Sequence, residues 1–230
     1  MKSWPVTCRN TVFHVGKLDE SASDIQSRAS LEAYCLSVSE NPEEWTKIAR
    51  LGGLPCWKLT RKNSRFVDVH AFDGLQADYI RKWAIREGFA TEEPLWRAWI
   101  TDEDGDWAYM VQTSRHEAER EVEDYDIEPG DGPAPDGSCV EEVIDLVLTE
   151  KGMSALERWT DPTSGFDGAL ILFCRNVIAP DDRDIIGIWW DDCFDPPNLS
   201  CPRGGIFPDR LDEFDVSLDS GPQDIPGFSM

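Results

Sequence analysis

The chain has 230 residues and carries 45 Asp/Glu against 22 Lys/Arg, a formal net charge of −23. That balance excludes a protein that grips a nucleic-acid backbone, where cations must replace counterions, and one that lies on an anionic membrane surface. At 40% hydrophobic residues, with ten Trp and ten Phe, the chain is not compositionally disordered. It has material for one large domain, or one domain with a long insertion.

The charge is regional. Residues 1–70 hold ten Lys/Arg and eight Asp/Glu, a balance of +2, which leaves −25 on the remainder. Such a surface favours solubility and basic partners. The seven cysteines, at 8, 35, 56, 139, 174, 193 and 201, form no Cys-x-x-Cys, and the three histidines are far from any cysteine pair. No structural zinc site is expected. An odd cysteine count, with no secretory leader in residues 1–20, fits reduced thiols in a cytoplasmic compartment. No apolar stretch approaches the roughly 20 residues of a membrane helix.

In chain order, Val12-Phe13-His14-Val15 reads as a strand ended by Gly16. Residues 18–30 are polar and read as a loop or short helix. Tyr34 to Ser39 is a short strand. A helix follows, capped by Ser39 or Asn41, with Pro42 in its first turn and Glu43 and Glu44 at its positive end. Gly52-Gly53 stops it. Cys56 to Leu59 and Phe66 to Val69 read as a hairpin. Leu75 to Glu87 has helical spacing and closes at Gly88. Leu95 to Ile100 and Trp107 to Val111 flank Asp102-Glu103-Asp104-Gly105-Asp106, a second hairpin. Ser114 to Glu123 reads as a charged helix, 124–138 as a Pro/Gly/Asp-rich linker, and Val140 to Leu148 as a helix. Phe166 to Phe173 and Asp184 to Trp190 read as late strands. Ile206-Phe207 begins another, and a polar tail closes the chain. This order predicts an α+β sheet rather than regular βαβ winding.

Three segments carry candidate chemistry. In Ile185-Ile186-Gly187-Ile188-Trp189-Trp190-Asp191-Asp192, strand alternation puts Gly187, Trp189 and Asp191 on one face. A glycine leaves room, an aromatic ring offers a stacking surface and a carboxylate supplies charge, the ingredients of a ligand cleft. The competing reading is that this face packs a helix and the two Asp end a strand. Phe13-His14-Val15-Gly16 presents a histidine beside a turn glycine. Cys35-Leu36-Ser37-Val38-Ser39-Glu40-Asn41-Pro42-Glu43 carries hydroxyls at alternate strand positions leading into a capped helix.

Together and in this order the three segments resemble the split NAD-binding core of the ADP-ribosyltransferase superfamily, including a phage-encoded anti-CRISPR transferase within it. The resemblance covers roughly residues 10–60 and 165–212. It implies an α+β fold with a split antiparallel sheet. The core would span about 10–70 and 165–212, with a helical/hairpin insertion at about 71–164 and a polar tail at 213–230. It implies NAD as cofactor, transfer to a macromolecular target, and a setting of phage–host conflict. His14, beside Gly16, would hydrogen-bond the adenosine-side ribose. Ser37 or Ser39 would line the nicotinamide pocket, and Trp189 or Trp190 would stack there. Arg50, Lys17 or Arg203 would approach the pyrophosphate. Asp191 would hold the nicotinamide ribose and stabilise the charge that develops on glycosidic cleavage. The family's catalytic Glu at the start of the final strand has no counterpart in Cys201-Pro202-Arg203-Gly204, so Asp191 or Asp192 would substitute.

Two other readings compete. A non-enzymatic acidic protein would use its carboxylates to imitate a phosphate backbone and block a basic partner. An immunity or antitoxin partner would keep a degenerate transferase fold without NAD affinity. Carboxylates abound, but no His-rich ligand spacing supports a metal hydrolase.

Overall fold

The computed structural model describes residues 4–18, 34–48, 51–101, 107–124, 132–134, 137–157, 161–194 and 199–219; at 108, 191–194 and 199–201 it describes the backbone alone. The elements in order are β1 (Val6–Cys8), β2 (Thr11–Val15), β3 (Leu36–Ser39), α1 (Pro42–Ile48), β4 (Cys56–Thr60), β5 (Arg65–Asp68), α2 (Gly74–Glu87), β6 (Ala90–Thr101), β7 (Trp107–Gln112), α3 (Arg115–Asp124), β8 (Val140–Leu148), α4 (Glu150–Ala155), α5 (Gly165–Phe173), β9 (Ile185–Phe194), β10 (Leu199–Ile206) and β11 (Asp215–Leu218). The architecture is mixed α+β, as expected. The chain divides into two compact units, residues 1–72 with 174–230, and residues 73–173. All but the first residue of the predicted loop at 18–30, the turn at 102–106, most of the linker at 124–138 and the end of the tail lie outside the described residues.

The first unit is built on an eight-stranded sheet of order β1-β5-β9-β10-β3-β2-β4-β11. Its described pairs are antiparallel except β5–β9. A parallel pair needs a long crossover, and here the whole second unit lies within the chain between β5 and β9. At the centre, Ile185, Ile186, Ile188, Trp189 and Trp190 are all buried. Such a strand is covered on both faces and reads as a continuous apolar run rather than an alternation. One core cluster gathers Val12, Leu36, Val38, Leu59, Phe66, Trp189 and Ile206, and a smaller one holds Val15, Trp45 and Leu51.

The start of α1 is chemically explicit. The Asn41 side chain accepts from the Glu44 N–H at 3.3 Å, and Ser39 Oγ accepts from the Asn41 N–H at 2.9 Å. The two predicted cap residues therefore work in series. The expected hairpin over 56–69 does not form. Its strands lie in opposite halves of the sheet, β4 between β2 and β11 and β5 between β1 and β9. Longer-range partners claim both edges of each strand. Ile206 ends a strand rather than beginning one, because β10 runs back from Leu199 as the partner of β9. Part of the expected polar tail, Asp215–Leu218, is a strand on β4.

In the second unit β6 is the long central strand of an antiparallel sheet of order β7-β6-β8, which includes the expected β6–β7 pairing. Helix α2 opens with a full capping box between Asp73 and Gln76 and closes on Gly88 in the left-handed region, φ 74°. Two expectations fail here, in complementary ways. Residues 140–148 form a strand, not a helix. Val140, Val143, Ile144 and Val147 have helical spacing but are all β-branched, and β6 pairs with them along nine residues. Residues 166–173 form a helix, not a strand. Their apolar run carries no period to decide between the two. Gly165 and Gly168 let this helix press on the Leu146 carbonyl and the Leu148 side chain, where a Cβ would overlap.

Candidate functional site

Cross-strand register assigns each candidate residue to a face. On β3, β10 and β9 the rows are Ser37–Gly205–Ile188 and Ser39–Arg203–Trp190, alternating with Leu36–Ile206–Gly187 and Val38–Gly204–Trp189. Directly paired residues share a face. Ser37, Ser39, Arg203 and Trp190 therefore share one face, while Gly187 and Trp189 lie on the other. That second face is the main core. The Trp189 ring is buried, sits edge-on to Phe66 with centroids 5.3 Å apart, and rests over Gly204, where a Cβ would overlap it. The room beside Gly187 is filled by the Gly205 carbonyl. These two glycines serve close approach of β9 and β10.

Strands β2 and β3 meet at one register pair, Phe13↔Ser39. Beyond it the ladder stops and His14 takes over. The His14 ring is 1% exposed; its Nδ1 lies 2.8 Å from the Ser37 carbonyl oxygen and its Nε2 3.3 Å from that of Lys17. The shorter contact assigns the ring proton to Nδ1, donating to Ser37. A neutral imidazole has no second N–H for Lys17. Burial holds the His14 pKa below its ordinary value, against the two carbonyls, which pull it up. Gly16, with φ 140°, follows at the strand end, and its carbonyl accepts from Trp57 Nε1 at 2.8 Å.

On the hydroxyl face, Ser39 Oγ donates to the Pro202 carbonyl at 3.1 Å. The guanidinium of Arg203 is 5% exposed and lies over the Trp45 ring at 4.1 Å, with the Trp190 ring at 5.7 Å. Asp191 pairs with Pro202 and Asp192 with Cys201 in the β9–β10 ladder. Their side chains and Arg50 lie outside the described residues. The structure thus brings Ser37, Ser39, Arg203 and Trp190 together on one face; His14, next to the Phe13 that pairs with Ser39, falls on the opposite face with Val12 and Trp189 and reaches only the Ser37 backbone carbonyl, so the sheet separates both His14 and Trp189 from the serine hydroxyls. Reading by strand could not have placed Arg203 against Trp45, because that contact depends on the β10–β3 register.

The chain matches no known family model, no curated protein and no solved structure. No group of three or more His, Cys, Asp or Glu among the described residues is arranged to hold a metal ion, and no described helix is long and apolar enough to cross a membrane. Buried Cys174, whose thiol burial pushes up, opens a π-helical turn, Cys174–Ile178. Sequence reading gave it no role.

Proposed function

We propose that the chain is an NAD-dependent mono-ADP-ribosyltransferase that modifies a macromolecular target. The observation that carries this reading is the seam at which β2 parts from β3, where His14 reaches Ser37 across the gap. The donor set around it suits a dinucleotide. It offers an imidazole on one face of the sheet for a ribose hydroxyl and, on the other face, serine hydroxyls and a guanidinium for the amide and pyrophosphate groups, as recognition of a phosphate favours Arg. With the ring proton on Nδ1, Nε2 is an acceptor that faces the Lys17 carbonyl at 3.3 Å without a hydrogen bond, and it is the nitrogen to which a ribose hydroxyl would donate. Trp190, on the serine face, takes the stacking role in preference to Trp189. Bound NAD supplies the ADP-ribosyl group. Asp191, which pairs with Pro202 and alternates by register to the Trp189 side of β9, would supply the carboxylate that complements charge developing at the sugar.

The test is release of nicotinamide and transfer of label from NAD labelled in its adenine, using the full chain and a cell lysate as acceptor. Asp191→Ala should lower transfer at least about 100-fold while its thermal melt stays that of the parent. The proposal fails if calorimetry finds no NAD binding at millimolar concentration and the parent releases no nicotinamide.

A further inference from the structure

Among the described residues, one edge strand of the second unit lacks the charge and proline that usually guard a sheet edge. Edge strands present unpaired N–H and C=O groups, and native proteins guard them with charge, proline or brevity. Strand β8 follows that rule, with Glu141, Glu142 and Asp145. Strand β7 does not. Its six residues, Trp-Ala-Tyr-Met-Val-Gln, include no charge and no proline. Trp107 is 40% exposed, Tyr109 52% and Met110 37%. Among the described residues no strand lies on its outer side.

We infer that β7 is a docking edge, and that its occupant is an extended segment of a basic protein, added as a fourth strand. Charge selects the occupant. Residues 73–173 hold 25 Asp/Glu against 8 Lys/Arg, a balance of −17. That field repels a second copy of this chain and a nucleic-acid backbone alike, and it attracts a cationic segment. The rings on the edge suit the same ligand. The Arg97 guanidinium lies over Tyr109 at 4.6 Å and over Trp99 at 5.3 Å, and pairs with Glu141 at 2.8 Å. Tyr109 shares the face of Trp99, and Trp107 that of Thr101, by register. The face therefore already accommodates one guanidinium within the chain, and the exposed parts of Tyr109 and Trp107 offer further ring surface to arginines of a paired strand. Such a strand presents alternate side chains to that face, while its backbone supplies the hydrogen bonds.

The probe is an eight-residue peptide of alternating Arg and Val, titrated into the full chain at low salt without NAD, so that the outcome is independent of the transferase reading. Its binding should weaken by more than about ten-fold when alternate peptide amides on the pairing edge are N-methylated, which removes backbone donors and keeps every charge. Tyr109→Ala and Trp107→Ala should each weaken it about two- to five-fold. Equal binding of the N-methylated peptide, of the matching Glu/Val peptide or of duplex DNA overturns the inference. So does concentration-dependent dimerisation of the chain that both substitutions abolish. If the chain binds the peptide as described but releases no nicotinamide, the docking edge stands and the transferase reading falls.

Discussion

Replacing His14 by Gln tests the seam through its pH dependence. In the folded chain the His14 pKa lies below its ordinary value of 6.5 because the ring is buried. A histidine kept neutral by the fold binds a proton more readily when unfolded. Between the folded pKa and 6.5 the unfolded state therefore carries more protons, and stability rises with pH. The contribution is full above 6.5 and is lost as pH falls below it. One proton corresponds to about 1.4 kcal/mol per pH unit at most, so the loss between pH 7.5 and 5.5 is bounded near 1.4 kcal/mol. For a chain of this length that is a fall of about 3–6 °C in melting temperature. Gln keeps a side-chain donor near Ser37 but does not titrate, so His14→Gln should flatten the slope between pH 7.5 and 5.5, whatever it does to stability at pH 7.5. Calorimetric melts of both proteins at four pH values measure this. A parent that grows more stable on acidification would mean that the two carbonyls outweigh burial. An unchanged slope in the variant would remove His14 as its source.

Gly187→Ala should destabilise by about 2–3 kcal/mol, read from chemical denaturation, because the new methyl overlaps the Gly205 carbonyl of a central strand; a melt like the parent's would show that β9 and β10 are not so closely apposed. Thiol labelling at pH 8 followed by peptide mass mapping should modify exposed Cys8 well before Cys56, whose pKa is pushed up to about 11 by burial and by the Asp219 carboxylate, and leave Cys35 and Cys174 unlabelled until unfolding. Asp73→Ala should cost about 1 kcal/mol by removing the acceptor for the Gln76 N–H; no change in the melt would show that α2 is held by Ile80, Trp83 and Ala84 alone.

The parts of the fold legible in the sequence were those with local causes. Asn41-Pro42-Glu43 specifies a helix start within three residues, and Gly88 specifies a stop. Period failed where burial is two-sided or where pattern and propensity conflict. At 140–148 a helical spacing of Val and Ile met a long strand that needed a second partner, and the pairing prevailed. At 166–173 a run that is apolar apart from Asp167 gave no period, and glycines suited to helix packing were the one available clue. The hairpin at 56–69 failed for a different reason. Sequence adjacency favours a hairpin, but β5 is joined to β9 across more than a hundred residues, a partnership no local pattern encodes.

The candidate site shows the same limit at the level of single side chains. Alternation placed Gly187 and Trp189 on one face correctly, but it could not say whether ligand or protein covers that face. Phe66, more than a hundred residues back in the chain, and the Gly205 carbonyl of the following strand supply the answer. Ser37 and Ser39 were legible as alternate hydroxyls, yet their company was not, since Arg203 and Trp190 join them only through register. His14 is the most telling case. A histidine near a turn glycine is ordinary in sequence. It acquires meaning because the ladder between β2 and β3 ends one residue before it, so its ring nitrogen makes the link to Ser37 that a backbone amide would otherwise make. The link to Ser37 uses Nδ1 and leaves Nε2 as the ring's acceptor. The seam, rather than the covered glycine–tryptophan face, is therefore where the proposed NAD reading stands or falls.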